Sequence, residues 1–343
     1  MLHIHNGDST ANTAKQTQLP GEHFAFREAL IEGPAPSGCT NDEWRAIRAQ
    51  HLSSAYGVAL EQCERELAEQ ENKLATFADH EEMVLWFEHD LFCQTNLLYL
   101  LDWFSQHELR NTLANGTKLS LVCIDQFPGV TDFRGLGQLN AAQLASLFPD
   151  REEIQRSDLE LARSAWQAYC SADPTAIEQF LQTDTSALTF LASALRAHLK
   201  RFPSLRNGLG AIENIVLKLI KSGSSDFKNL FSRFGDAVPE YGFGDAQLWL
   251  ALRRMSVAKQ PVIKIVRLDG TYLGSALAID TGGMGDTLHN ARFEVTELGD
   301  SVLRGEADFA SLNGIDIWLG GVHLDGLETL WRWDEQSERI VSE

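Results

Sequence analysis

Short apolar runs and polar turns alternate along the first third of the chain. Leu2 to His5 reads as a first strand, ended by the turn-and-cap signature Asn6-Gly7-Asp8-Ser9-Thr10. A short helix to about Gln18 stops at Pro20-Gly21, and His23 to Arg27 reads as a second strand before the loop Gly33-Pro34-Ala35-Pro36-Ser37-Gly38. From Asp42, a natural N-cap, to about Ala78 the pattern is helical and predicts an insertion on one side of a sheet. Met83 to Phe87 is apolar throughout, which suits a strand buried on both faces. Glu88-His89-Asp90 closes it, and an amphipathic helix runs from Leu91 to about His107. Lys118 to Ile124 is another buried strand, ending at Asp125.

Strands alternating with helices predict a mainly parallel α/β sheet covered on both faces, over residues 1–139. After Asn140 the strand signal stops, and 140–205 reads as a helical connector. Residues 206–343 predict a winged-helix-like region. Its helices fall at Gly210–Lys221, Asp226–Phe234 and Asp245–Ala258, and its strands at Val262–Leu268, Tyr272–Ile279 and Arg292–Val295, with a type I′ turn at Asp269-Gly270. Another helix follows near Glu297–Arg304. Trp318, Trp331 and Trp333 place too much aromatic surface in the tail for it to stay solvated, so the tail is expected to fold back.

The 343 residues carry a net charge of −19, which repels nucleic acid and anionic membranes at long range. The distribution is uneven: Arg206 to Leu268 holds ten Lys/Arg against five Asp/Glu, a local +5 that leaves −24 on the rest. The start of the chain shows no basic-then-apolar leader, and no apolar run approaches the roughly 20 residues of a membrane span. Cys39, Cys63, Cys93, Cys123 and Cys170 are widely and irregularly spaced, which predicts reduced thiols and a cytoplasmic protein.

Ligands of open α/β sheets bind outside the carboxyl ends of the strands. Four predicted strand ends deliver Asn6-Gly7-Asp8-Ser9, Arg27-Glu28, Glu88-His89-Asp90 and Asp125 there. Glu88 and Asp90, with Ser9, are the candidate catalytic groups; Asn6, Gly7, Asp8, Arg27, His89 and Asp125 are the candidate ligand-binding groups. Asp8, Glu88 and Asp90 form a hard oxygen set suited to Mg²⁺ or Mn²⁺. Simpler roles compete at each position: Ser9 and Asp90 as helix caps, Asp125 as a turn residue, His89 as a loop residue, Arg27 as the partner of Glu88. The chain has neither the G-x-G-x-x-G dinucleotide sequence nor a phosphate-binding P-loop.

Several segments together resemble a bacterial family known only as domain of unknown function 1835. They are the opening Leu2 to Ser9, Arg27-Glu28, Glu32-Gly33-Pro34, Leu85 to Gln94, Leu100-Leu101-Asp102-Trp103, Arg201-Phe202-Pro203-Ser204, Asn207-Gly208-Leu209, Asn313-Gly314-Ile315-Asp316, Gly320-Gly321-Val322-His323 and Trp331-Arg332-Trp333-Asp334. The resemblance spans nearly the whole chain and implies a Rossmann-like N-terminal domain; it implies no activity.

Three functions are compatible with these residues. The first is binding of a small molecule or nucleotide at the strand ends, with metal-dependent hydrolysis or transfer. The second is a ligand-responsive DNA-binding regulator acting through 206–268, with Arg253, Arg254 and Lys259 on a recognition helix and Lys264 and Arg267 on a wing. The third is an esterase of the GDS type, with Ser9 as nucleophile and Asp286 and His289 completing a triad.

Overall fold

The computed structural model describes residues 1–109, 116–271, 273, 290–326 and 331–342. Leu2 and Ile4 alternate with His3 and His5, and this two-residue period makes β1 (Leu2–Asn6), buried on both faces. β2 (Glu22–Phe26), β3 (Glu82–Glu88), β4 (Lys118–Ile124) and β5 (Glu152–Glu153) join it in the order β2-β1-β3-β4-β5. The first four strands are parallel, with Ile4 in register with Phe24 and Leu85, and β5 runs antiparallel along β4. The pattern predicts no strand at β5; its two residues pair only because the free edge of β4 lies beside them.

β1 connects outward to β2 and β3 connects outward to β4, so the strand order reverses between β1 and β3. One face of the sheet, with Leu2, Ile4, Leu85 and Phe87, packs on α4 (Leu91–Leu109) and α6 (Arg156–Tyr169). The other face, with Val84, Trp86 and Val122, is covered by α1 (Asp8–Ala14), α5 (Ala141–Ser146) and the loop containing Phe133 and Leu136. The helical insertion is a pair, α2 (Asn41–Tyr56) and α3 (Leu60–Ala75), started by a Thr40–Glu43 capping box and turned at Gly57 in the left-handed region.

The connector contains α6, α7 (Thr175–Phe180) and α8 (Leu191–Leu199). Beyond it come α9 (Ala211–Lys221), α10 (Phe227–Ala237) and α11 (Asp245–Val257), then β6 (Ile263–Arg267) paired antiparallel with β7 (Ala291–Val295). The chain turns at Asp269-Gly270, but not in the expected type I′ form: Gly270 N–H donates to Arg267 O, which centres the turn on Leu268-Asp269, and of Asp269 and Gly270 only Gly270 has positive φ (90°); Leu273 N–H donates to Ile265 O. The rest of the expected strand Tyr272–Ile279 lies outside the described residues.

The described residues show small antiparallel sheets after these helices, not the complete winged helix expected. The tail forms two hairpins, β8 (Ile315–Leu319) with β9 (Val322–Gly326) and β10 (Trp331–Asp334) with β11 (Arg339–Ser342). Both dock on the body instead of extending a wing. Gly320 and Gly321 press against the backbone of Tyr169 and Cys170, where a Cβ on Gly321 would overlap the Cys170 carbonyl. Trp333 is buried and exchanges backbone hydrogen bonds with Pro203 and Leu205. Among the described residues no helix is long and apolar enough to cross a membrane.

Candidate functional site

The reversal of strand order opens a crevice position between the carboxyl ends of β1 and β3, and a polar relay fills it. Asn96 Nδ2 donates to Asn6 Oδ1 at 2.9 Å, and Asn6 Nδ2 donates to Cys93 Sγ at 2.8 Å. The Cys93 thiol donates to Glu88 Oε2 at 2.6 Å, and the Leu136 amide donates to Glu88 Oε1 at 2.6 Å. Asp90 Oδ1 accepts the Cys93 amide at 2.9 Å, which caps α4. Gln94 Nε2 donates to the Glu88 carbonyl at 2.8 Å, and the Cys123 thiol also donates to it.

Glu88, Asp90 and Cys93 are buried, and one candidate donor atom from each lies within 4.8 Å of the others. Removing two carboxylates from water disfavours their charged forms. Burial, and then the neighbouring Asp90, raise the Glu88 carboxyl well above the usual carboxylate range, against the opposing bonds from Cys93 and Leu136. Asp90 is raised by burial as well, and burial together with both acids drives the Cys93 thiol far up. Cys93 is therefore a protonated donor, and the two acids share less than their full formal charge.

The strand-end residues divide into groups. Asn6, Glu88 and Asp90 converge. Asp8 and Arg27 do not join them: they form a two-bonded ion pair (2.6 and 2.7 Å), half exposed at 52% and 53%, and that pair lowers the Asp8 carboxyl. Arg27 satisfies Asp8, not Glu88. The expected metal set of Asp8, Glu88 and Asp90 is thus corrected, because α1 turns Asp8 outward and the first turn of α4 brings Cys93 inward. Ser9 is exposed beneath the loop that covers Glu88: a Cβ on Gly137 would meet Ser9 Oγ, and one on Gly135 would meet Glu88 Oε1. Gly7 starts α1 at φ 93° with open space at its α-carbon. The His89 ring meets Phe190 edge-on, and its buried Nδ1 has no partner among the described residues. Asp125 is exposed just past β4. Asp286 and His289, the expected partners of Ser9 in an esterase triad, lie outside the described residues.

The sequence pattern does not single out Cys93, Gln94 and Asn96 as site residues. Their signal is visible in retrospect, as polar side chains at the start of the otherwise apolar run Leu91 to Leu101. A second buried polar group, which the sequence pattern does not point to, lies on the opposite face of the sheet. Trp86 Nε1 donates to His3 Nδ1 at 3.1 Å, leaving His3 Nε2 to donate to Pro20 O at 3.0 Å. His5 Nε2 lies 3.0 Å from His23 Nδ1. Burial, the largest cause at each, lowers His3 to about 4 and His5 to about 2, so these rings are neutral and pin the Leu19-Pro20 turn to the sheet.

The basic residues of the C-terminal half also separate. Arg254 pairs with Glu213, and Arg253 and Arg254 line a cavity facing α2. Lys259, Lys264 and Arg267 are exposed. No protein-family model matches this chain, and no curated protein matches it.

Proposed function

We propose that the chain binds a small molecule or nucleotide at the β1–β3 crevice and acts on it by metal-dependent hydrolysis or group transfer. The observation that carries this reading is the convergence of Glu88, Asp90 and Cys93 at the reversal of strand order. Two carboxylates and the Cys93 thiol, which a bound ion would have to deprotonate, supply three ligands; catalytic zinc sites use that number, with histidine among them, and leave a fourth position open for water or substrate. Sulfur in place of the Asp8 oxygen favours Zn²⁺ over Mg²⁺, with Mn²⁺ between them. Such an ion would polarise a substrate oxygen or supply hydroxide near neutral pH. Asn6 orients the thiol, and the Gly135–Gln138 segment must lift from Glu88 to admit a substrate beside Gly7 and Ser9.

The test is calorimetric titration of the metal-stripped protein with Zn²⁺ and Mn²⁺, alongside Glu88→Gln/Asp90→Asn and Cys93→Ser. Binding with one ion per chain that both variants abolish, with unchanged circular dichroism, is the expected result. Unchanged binding in the double variant overturns the metal assignment. Native mass spectrometry of the purified protein reads the small-molecule part separately.

A second reading, a ligand-responsive DNA-binding regulator with a winged-helix-like C-terminal region, is supported by the three helices α9 to α11 preceding an antiparallel pair with Lys264 and Arg267 exposed. Electrophoretic shifts at several salt concentrations test it: affinity that falls steeply with salt supports DNA binding, and absence of a shift at low salt removes it.

A further inference from the structure

The connection between β4 and α5 runs from Asp125 to Asn140. It exceeds the roughly 12–15 residues beyond which an irregular loop in a compact fold usually has a function of its own. A single helical turn, Leu136–Gln138, interrupts it, and that turn lies over the candidate site. The Leu136 amide donates to Glu88 Oε1 at 2.6 Å, Gly135 lies against the same carboxylate, and Gly137 lies against Ser9 Oγ. Phe133, Leu136 and Leu139 are buried with Val84, Trp86 and Val122 beneath it.

The outer side of the same segment reaches a different part of the molecule. The Arg134 amide donates to Gln138 Oε1 at 2.6 Å, which closes the segment into a small ring. The Arg134 side chain leaves this ring and pairs with Asp236 near the end of α10. Its guanidinium rests on Gly235, where a Cβ would lie 3.0 Å from Arg134 Nη1. The pair is open to water, at 39% and 58% exposure, whereas the hydrogen bond at Glu88 behind it is buried.

The ends of the segment are set differently. Asn140 starts α5 with a capping box, which fixes the chain there. Upstream, Gly129 at φ 81° and Asp132 at φ 54° bend the backbone in the left-handed region. A few such loop positions are enough to absorb the backbone rotation of a moving lid.

We infer that residues 133–139 are a lid over Glu88, latched by the Arg134–Asp236 pair, so that the position of α10 sets how often the crevice is open. This regulation concerns the same crevice as the proposed function and rests on that reading. An exposed ion pair adds little to the stability of a whole fold. Acting on one local opening, it shifts the open population by a few-fold, which is measurable.

Hydrogen exchange of the metal-free protein, read by mass spectrometry at the peptide containing Leu136, measures the lid directly. Asp236→Arg sets two guanidinium groups against each other and should speed that exchange about fivefold, and Arg134→Glu should do the same. The swapped pair, Arg134→Glu with Asp236→Arg, should restore exchange to within about twofold of wild type. Added salt should speed exchange in wild type and slow it in the single variants, because screening removes attraction in one case and repulsion in the other. Circular dichroism and exchange at β3 peptides report whether each variant folds as wild type does. Unchanged exchange at Leu136 in the folded single variants, or no recovery in the swapped pair, overturns the inference. Stopped-flow uptake of Zn²⁺ by the metal-stripped single variants should quicken by a similar factor. Uptake at the wild-type rate despite faster lid exchange also overturns it. Absence of any Zn²⁺ binding refutes the metal reading instead, and exchange alone then decides the latch.

Discussion

The Cys93 thiol sits 2.6 Å from Glu88 Oε2, one residue at the first turn of α4 and the other at the last position of β3. This contact crosses the strand-to-helix turn that Asp90 caps. It joins the cap to the Asn6–Asn96 pair and to the Leu136 amide, so a change at Glu88 is felt across the carboxyl edge of the sheet.

Glu88 gives the first prediction. Its folded pKa is raised, so its contribution to stability is complete below the ordinary glutamate pKa and is lost as pH rises through the folded value. Glu88→Gln lacks this loss. The variant should lie within about 1 kcal/mol of wild type at mildly acidic pH and gain on it by about 1.4 kcal/mol per pH unit within the titration window. Urea unfolding from pH 5 to 8 measures the difference; parallel curves would contradict a protonated Glu88.

The histidine group predicts the opposite slope. His3 and His5 are depressed to about 4 and about 2, so their stabilising contribution is present above the ordinary imidazole pKa and is lost as pH falls toward those values. Wild type should lose stability between pH 6.5 and 4, and His5→Phe, which cannot charge beside Trp86 and His23, should lose less. Thermal unfolding over that range compares them.

Gly242 packs directly on Asp90. Its φ is 63°, and a Cβ there would overlap Asp90 Oδ1. Gly242→Ala should destabilise the fold by at least about 2 kcal/mol, since strain and overlap add. Gly223→Ala is the control: φ is 103° but the space is open, so the cost should stay near about 1 kcal/mol. Equal urea midpoints for the two variants would refute close packing over Asp90.

The Arg48–Glu28 pair is fully buried, with exposures of 0% and 4%. Arg48→Met leaves Glu28 without its cation and should cost about 3–5 kcal/mol. Arg48→Met combined with Glu28→Leu removes both charges and should recover most of that loss. A double variant as unstable as the single one would show that Arg48 acts through its carbonyl bonds at Ala29, Glu32 and Pro34.

The elements that one chain segment can specify alone were legible in the sequence. An uninterrupted apolar run identifies the core of β3, because burial on both faces demands apolar side chains there, and β4 spans Lys118–Ile124 as expected although Lys118 is exposed and the buried Ser120 is polar and bonded to Glu82. Asp90 as a cap and Asp269-Gly270 as a turn are equally local, since their hydrogen bonds close within a few residues. Tertiary structure decided which polar groups meet. Asp8 and Cys93 follow strand ends with similar claims on the crevice, yet α1 turns Asp8 to Arg27 while the first turn of α4 brings Cys93 to Glu88. β5 exists only because the chain returns to the β4 edge. The Arg134–Asp236 pair joins residues 102 apart along the chain. Side-chain periodicity records which face of an element is buried; it carries no record of which distant element covers that face, and the crevice and its latch are both set by that choice.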